Sequence, residues 1–354
     1  YVQSDKREVK MKLSYLKIVF LAVFSLIILS AFVIENPYYS ISQKDVEIVI
    51  PQGFPKPVYD FRKNKMSAEA FTLGRKLFYD PLLSKDNFTS CGTCHLRFAA
   101  FAHVDHALSH GIANRIGKRN VPALQNLIWK NEFMADGGIN HLDLQPIAPL
   151  TSEDEMGETL ENVILKLQND SVYPRLFQTA FGDSIVSTKN MMKALSQFVC
   201  LMISSDSKYD KFIAGKVEFT LNEKNGLNLF RAKCSSCHKE PLFTDNTYRN
   251  NGLAPDPKLN DIGRKLITGK ESDLYKFRVP TLRNIEVTYP YMHDGRFNTM
   301  EEVLKYYAEG KFHSSGFDKE LNKSTGLTEA EKIDLIIFLR TLTDKTFLYD
   351  RRFA

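Results

Sequence analysis

The sequence predicts an all-α fold built as two similar halves with long connecting loops. Three observations lead there. Strand-like alternation of apolar and polar residues is scarce along the 354 residues. Thr220 to Glu223, Thr299 to Glu302 and Thr328 to Glu331 each have the Thr-x-x-Glu form of a capping box. In that motif a hydroxyl and a carboxylate satisfy the first free N–H groups of a helix. One short pattern, Cys-x-x-Cys-His, occurs twice, 143 residues apart. The composition, 43% hydrophobic and 25% charged, is that of a folded globular chain. The net charge of +5, from 47 basic and 42 acidic residues, is too balanced for a dedicated nucleic-acid binder, which concentrates a basic stripe. Five cysteines rule out a disulfide-stapled scaffold, and their odd number leaves at least one without an intrachain partner.

In chain order, the first feature is an apolar run of 17 residues, Ile18 to Ile34, broken only by Ser25 and Ser30 and preceded by Lys10, Lys12 and Lys17. A charged stretch followed by an apolar one reads as an export signal. The run is slightly long for a cleaved signal core and slightly short for a full membrane span. Residues 1–34 are therefore expected to be a signal peptide or an N-terminal membrane anchor rather than a buried core helix. Either outcome places the rest of the chain outside the cytoplasm, in the periplasm, free or tethered. This segment also carries three of the five net positive charges, with Lys6, Arg7, Lys10, Lys12 and Lys17 against Asp5 and Glu8.

The repeated pattern comprises Cys91, Cys94, His95 and Cys234, Cys237, His238. It is the attachment signature of c-type haem. The two thiols add to the haem vinyl groups as thioethers, two intervening residues span the vinyl positions, and the adjacent histidine reaches the iron. Two alternatives share part of the pattern. A redox dithiol needs no histidine after the second cysteine. A zinc site could use both cysteine pairs as four ligands, but it makes both histidines coincidental and does not need export. Covalent haem attachment takes place outside the cytoplasm, so the N-terminal segment and the two motifs support each other. Cys200 is left over. It sits in an apolar helical stretch, Met191 to Ile203, and reads as a buried small hydrophobe.

Each motif follows a helical segment, Ala70 to Phe78 before the first and Gly226 to Phe230 before the second. A phenylalanine-bearing loop follows each. This self-similarity predicts two cytochrome c-like haem domains, all-helical, with long haem-wrapping loops. Residues 50–203 form the first and 204–354 the second, with a linker near Ser204 to Gly215 and a last helix able to pack back on the first domain. The stretches 111–140 and 250–295, rich in Gly, Pro and Asn, supply the wrapping loops. The helix opening at Thr328 is amphipathic, with Ile333, Leu335, Ile336, Phe338, Leu339 and Leu342 apolar.

From about residue 67 onward the sequence resembles the bacterial dihaem cytochrome c peroxidase family, including its MauG-type branch. The resemblance lies in Arg119-Asn120-Val121-Pro122, Asp136-Gly137-Gly138, Gln145, Glu155-Met156, Val279-Pro280-Thr281-Leu282-Arg283-Asn284 and Tyr289 to Phe297, on both sides of both motifs. It implies a peroxidatic haem in the first domain, with His95 proximal and with Gln145 and, ten residues on, Glu155 in the distal pocket. The chemistry is sensible. Parting a peroxide O–O bond needs a base that moves a proton between the oxygens and a donor that steadies the bound peroxide. Read without the resemblance, Glu155 is a solvated acid in the run Glu153-Asp154-Glu155. His110 stands in the loop where many family peroxidases carry a histidine that caps the first iron in the oxidised state. Its neighbours His103 and His106 read as surface loop histidines.

The resemblance makes the second haem the electron-transfer centre, with His238 proximal. Its sixth ligand follows the His-Asp-Gly histidine by fourteen residues, which from His293 gives Tyr307. Better-known peroxidases have methionine there and the MauG-type branch has tyrosine. A thioether favours ferrous iron and a high potential, whereas a phenolate favours ferric or higher states. The alternative is a helix-face Tyr307 with Met300 or Met292 on the iron. The resemblance also implies a calcium ion at Asn120, Thr288 and Pro290, where hard oxygen ligands suit that cation. One departure concerns the tryptophan that family members carry ten residues before the distal glutamine. Here that position is Ala135, and the only tryptophan, Trp129, lies in an apolar stretch with a core role.

The expected function is a dihaem cytochrome c peroxidase reducing hydrogen peroxide to water, with electrons from a small donor such as cytochrome c. Two other functions are carried beside it, a MauG-type oxidase acting on a protein or organic substrate and a non-catalytic dihaem carrier. The expected cofactors are two covalent haem c groups and a calcium ion. No nucleic-acid partner is expected, and a membrane tether through residues 1–34 and a homodimer are left open.

Overall fold

The computed structural model describes residues 41–354, so the expected signal or anchor segment 1–34 lies outside the described residues. In chain order the helices are α1 (Ala68–Tyr79), α2 (Cys91–Cys94), α3 (Ile147–Thr151), α4 (Leu160–Asn169), α5 (Tyr173–Phe181) and α6 (Thr188–Cys200). They continue as α7 (Lys208–Ile213), α8 (Leu221–Lys233), α9 (Lys265–Thr268), α10 (Met300–Glu309), α11 (Glu329–Arg340) and α12 (Lys345–Leu348). Two-residue strands β1 (Tyr248–Arg249) and β2 (Phe277–Arg278) pair antiparallel. The fold is therefore all-α with long loops, as expected. Among the described residues no helix is long and apolar enough to cross a membrane.

The three capping boxes open α8, α10 and α11. Ser67 and Ser187 cap α1 and α6 in the simpler way, each accepting a backbone N–H with its hydroxyl. Gly310, in a left-handed conformation, ends α10.

Two helix pairs frame the molecule, and each depends on one glycine. On α1, Ala70, Phe71, Leu73, Gly74, Leu77 and Phe78 are buried against α6. A Cβ on Gly74 would stand 1.9 Å from the Ala194 carbonyl oxygen. On α8, Gly226 meets α11 in the same manner, and a Cβ there would stand 2.1 Å from the Asp334 carbonyl oxygen. Glycine thus lets the helix ahead of each Cys-x-x-Cys-His motif approach its partner at backbone distance.

The buried apolar residues fall into two clusters. One joins α1, α4, α5 and α6 with Trp129 and, from the C-terminus, Phe347, Leu348 and Phe353. The other joins α8, α10 and α11 with Tyr209, Phe219, Phe243 and Tyr291. Trp129 has the core role expected of it, with its indole N–H donating to the Pro55 carbonyl at 2.7 Å. Cys200 is likewise buried, at the end of α6. The helix expected over Met191 to Ile203 has the same length but lies three residues earlier, opening after the Ser187 cap and ending at Cys200.

Two segments show their packing only in the structure. The segment 204–215, where the linker is expected, is packed against the rest of the chain. Ser204 is fully buried, its N–H donates to the Asn126 side chain at 2.9 Å, and α7 occupies much of the rest of that segment. On α11, Leu335, Ile336, Phe338 and Leu339 are buried but Ile333 is 55% exposed. The helix packs along the narrow stripe that faces Gly226, and Ile333 lies off that stripe.

Gly74→Ala or Gly226→Ala is expected to cost about 1–3 kcal/mol, the usual penalty of overpacking a close contact. Urea unfolding would read it as a lower midpoint at an unchanged slope. Wild-type midpoints in both variants would contradict the close approach.

Candidate haem sites

The two motifs are built alike. Cys91 and Cys94 bracket the one-turn helix α2, and His95 follows as its C-cap. The His95 Nδ1 lies 2.6 Å from the Phe101 carbonyl oxygen. A carbonyl can only accept, so Nδ1 carries the proton and the lone pair is on Nε2. In the second motif His238 Nδ1 lies 3.2 Å from the Phe243 carbonyl and 3.1 Å from that of Pro280, with the same consequence. A backbone partner on one ring nitrogen that fixes the tautomer and orients the other is the usual arrangement around a metal-binding histidine. Burial pushes the His95 pKa down to about 4 and lowers that of His238. Both imidazoles are thereby kept in the neutral form a metal needs.

The carbonyls are placed by the phenylalanine rings. Phe101 and Phe243 are fully buried and have φ of 60° and 54°, left-handed angles that a bulky residue rarely adopts. Phe101 packs among Phe78, Phe198, Phe347 and Phe353. Phe243 packs among Tyr209, Phe230 and Phe338. The phenylalanine-bearing loop after each motif is therefore the device that aims its histidine.

A single cavity of about 940 Å³ runs past both motifs. Its wall carries Cys91, Cys94, His95, Cys234, Cys237 and His238, together with Gln145, Glu155, His110, Tyr307, Asn120, Thr288 and Pro290. Every residue singled out from the sequence for chemistry thus faces one space. Ala135, Met292 and Met300 line it as well, whereas His103, His106, Trp129 and Cys200 do not.

Gln145 ends the short turn Leu142–Leu144, and its amide nitrogen lies 3.8 Å from the Met134 sulfur. Glu155 closes the turn after α3, with its N–H on the Ser152 carbonyl and its own carbonyl accepting from Ile112. Its carboxyl forms no ion pair among the described residues. Burial, and secondarily Asp154, raises its pKa above the ordinary carboxyl range. Glu155 is therefore not simply the solvated acid that its neighbours Glu153 and Asp154 are. His110 shares the wall, its carbonyl accepts from the Cys94 thiol at 3.3 Å, and its ring centroid lies 4.2 Å from that of His106.

At the other motif Tyr307 projects from α10. Burial pushes its phenol up to about 12, the Asn251 side chain hydrogen-bonds it and opposes that shift, and the Cys234 and Cys237 thiols add to it. Asn120 donates its side-chain N–H to the Ala107 carbonyl at 3.0 Å and its backbone N–H to the His293 carbonyl at 2.8 Å.

These residues fit covalently attached haem and fit the alternatives poorly. The four motif cysteines are free thiols on the wall of a largely apolar cavity. Burial pushes Cys91 and Cys234 up to about 12, the reverse of what a reactive dithiol requires. Among the described residues no three or more His, Cys, Asp or Glu side chains gather in a way that could hold a metal ion, so the two cysteine pairs do not meet as a zinc site.

Residues 68–218 match the family profile described as di-haem cytochrome c peroxidase. The methylamine utilization protein MauG of Methylorubrum extorquens is 31% identical over 304 residues, which cover 82% of this chain and 82% of that protein. This chain belongs to the dihaem cytochrome c peroxidase/MauG family. The cytochrome c551 peroxidase of Nitrosomonas europaea is 32% identical over 282 residues, covering 78% of this chain and 80% of that one. The crystal structure of a MauG-like protein associated with microbial copper homeostasis superposes with a TM-score of 0.79 at 33% identity, covering 86% of this chain and 97% of the other. Both peroxidases and MauG proteins in the family are haem c oxidoreductases, and that is the class of this chain.

Some cavity residues carry no recognisable sequence signal. Lys130 and Arg278 line the wall, and nothing in their neighbours marks them. The Phe101 and Phe243 carbonyls were foreshadowed only by the phenylalanine in each loop.

Cys234→Ser with Cys237→Ser is expected to halve the covalent haem seen by pyridine haemochrome and intact mass, leaving the group at Cys91 and Cys94. Retention of both groups would remove the second motif from the assignment.

Proposed function

We propose that the chain is a dihaem peroxidase that reduces hydrogen peroxide to water with electrons from a small donor protein such as a cytochrome c. One observation carries this reading. Gln145 and a partly buried Glu155 line the same cavity as Cys91, Cys94 and His95. A plain electron carrier has no use for such a carboxyl and an amide there.

In this reading residues 50–203 are the peroxidatic domain and 204–354 the electron-transfer domain. His95 and His238 would hold the irons of haem groups attached at the two cysteine pairs. A haem held at His95 would supply the redox-active iron, and two electrons from the donor with two protons convert the peroxide to two waters. The chain's own residues handle protons and orientation. Glu155 takes the proton from one peroxide oxygen and delivers it to the departing one. Its raised pKa suits both halves of that transfer. The Gln145 amide N–H donates to the oxygen on which charge develops. His110, if it caps the first site at rest, must swing clear before peroxide binds.

The name of the Nitrosomonas relative, a cytochrome c551 peroxidase, supports by analogy a small cytochrome as donor, and in this reading its electrons enter at the second motif. A calcium ion at Asn120, Thr288 and Pro290 belongs to the same reading. The Asn120 amide nitrogen is engaged with Ala107, which leaves its oxygen, with the Thr288 and Pro290 carbonyls, as hard donors.

A second reading, a MauG-type oxidase acting on a protein or organic substrate, is favoured by Tyr307 on the wall beside Cys234 and Cys237. Ala135 argues the other way, since it provides no aromatic ring at that position.

Turnover with hydrogen peroxide and reduced cytochrome c is expected in the wild type. Glu155→Gln should lower it by about 10²–10⁴-fold, the usual worth of a positioned acid–base group. The base must be ionised and its pKa is raised by burial. The wild-type rate should therefore climb with pH through a pKa above the ordinary carboxyl range, and this limb should vanish in Glu155→Gln. No wild-type turnover, even after prior reduction, would remove the peroxidase reading. Tyr307→Phe is expected to change the absorption spectrum of the second haem. An unaltered spectrum would exclude tyrosinate and leave Met292 or Met300.

A further inference from the structure

Among the cations on the cavity wall, Lys118 is exposed to solvent, Lys233 donates to the Lys323 carbonyl at 3.2 Å, and Arg119 and Arg249 are matched by acids. Arg119 holds Asp136 at 2.5 Å and Asp261 at 2.6 Å. Arg249 holds Asp318 at 2.7 Å and Asp245 at 2.9 Å. Lys130 and Arg278 also line the cavity, but neither forms an ion pair among the described residues. The Arg278 guanidinium reaches the Asn246 carbonyl at 3.1 Å and the Tyr248 hydroxyl, both neutral. Its Nε is buried without a hydrogen-bond partner. Glu132, an acid within electrostatic reach, is already engaged by Arg264 at 3.2 Å. Lys130 comes from the first half of the chain, directly after the turn Leu127–Trp129. Burial, and secondarily the Arg278 charge, lowers the Lys130 pKa.

Two like charges withdrawn from water on an apolar wall are costly unless an anion joins them. We infer that Lys130 and Arg278 together form the seat for a propionate carboxylate of a haem bound in this cavity. The inference rests on the assignment of the two motifs as haem-attachment sites. The guanidinium fork matches a planar carboxylate and the ammonium adds a compact charge. The Arg278 N–H donates to the Ala135 carbonyl at 2.7 Å, which ties β2 to the segment that carries Lys130. One carboxylate would thus be held from both halves of the chain. The positive pair also favours the reduced, less positive state of that haem and so raises its potential.

The test is a spectroelectrochemical titration of the holoprotein at pH 7, with covalent haem counted in every sample. Wild type is compared with Lys130→Met, Arg278→Gln and the charge-keeping Lys130→Arg. Lys130→Met and Arg278→Gln should each lower the potential of the same haem. At a fixed applied potential the ratio of reduced to oxidised haem should fall about tenfold, about 59 mV for a one-electron couple. Lys130→Arg should stay with the wild type. Unchanged potentials at full haem content in the charge-removing variants would overturn the inference. So would a Lys130→Arg shift as large as that of Lys130→Met, because the effect would then track shape rather than charge. If one charge-removing variant fails to yield holoprotein, the other reads the same haem. A wild type without covalent haem would instead overturn the attachment reading.

Discussion

The Phe101 and Phe243 carbonyls fix the two histidines, and much of the fold exists to hold those carbonyls still. Each sits on a residue with a left-handed backbone, a conformation that costs about 1–3 kcal/mol away from glycine. Ring burial offsets it, since a fully buried phenylalanine is worth about 1.5–3 kcal/mol and each good aromatic pair about 0.5–1.5 kcal/mol more. The surrounding rings come from α1, α6 and the C-terminal turn at the first motif, and from α8 and α11 at the second. The helix contacts at Gly74 and Gly226 therefore act on the imidazoles through one layer of aromatic packing.

A second constraint lies along the middle of the chain. Asn284 donates to the Ser204 hydroxyl at 3.0 Å and to Gln125, and its oxygen accepts from the Asp344 N–H at 2.7 Å. Gln125 in turn donates to the Arg283 carbonyl, while Arg283 grips Asp210 with both terminal nitrogens. These groups are almost all buried, and each has its partners. A satisfied buried network is rigid because releasing any member strands the others. It joins segments some 80 to 160 residues apart. The cavity walls contributed by the early and late parts of the chain are thereby held as one surface.

Legibility in the sequence tracks the range of the forces. The capping boxes at Thr220, Thr299 and Thr328 are contained in four residues each and translate directly into helix starts. The cysteine spacing is equally local. The cavity is not. Arg119 pairs with Asp261, 142 residues on, and no periodicity announces that pairing. Ser204 has small, polar neighbours in sequence, Ser205, Asp206 and Ser207, yet its partners are Asn126 and Asp344, 78 and 140 residues away. Glu155 is the instructive intermediate case. Its two acidic neighbours in sequence point to solvent, and only the turn after α3 brings it onto the apolar wall.

Burial pushes Glu155 and Tyr307 in the same direction, toward their protonated forms, but the roles proposed for them make opposite use of that. A proton carrier benefits, because a carboxyl that holds its proton more tightly can also deliver it. A phenolate ligand does not benefit, since a phenol pushed up to about 12 stays protonated at neutral pH. The Asn251 hydrogen bond opposes that shift without reversing it, and the nearby thiols add to it. Only a cation beside the oxygen can offset it. Ferric iron would do so more strongly than ferrous iron, because the phenolate neutralises a larger charge. Tyrosinate ligation and a high oxidation state would therefore stabilise each other, and reduction would loosen the bond. A thioether from Met292 or Met300 carries no charge and would impose no such coupling. The identity of that one ligand thus decides whether the second centre passes electrons readily in both directions or holds its oxidised state, and with it which of the two oxidoreductase readings the geometry serves.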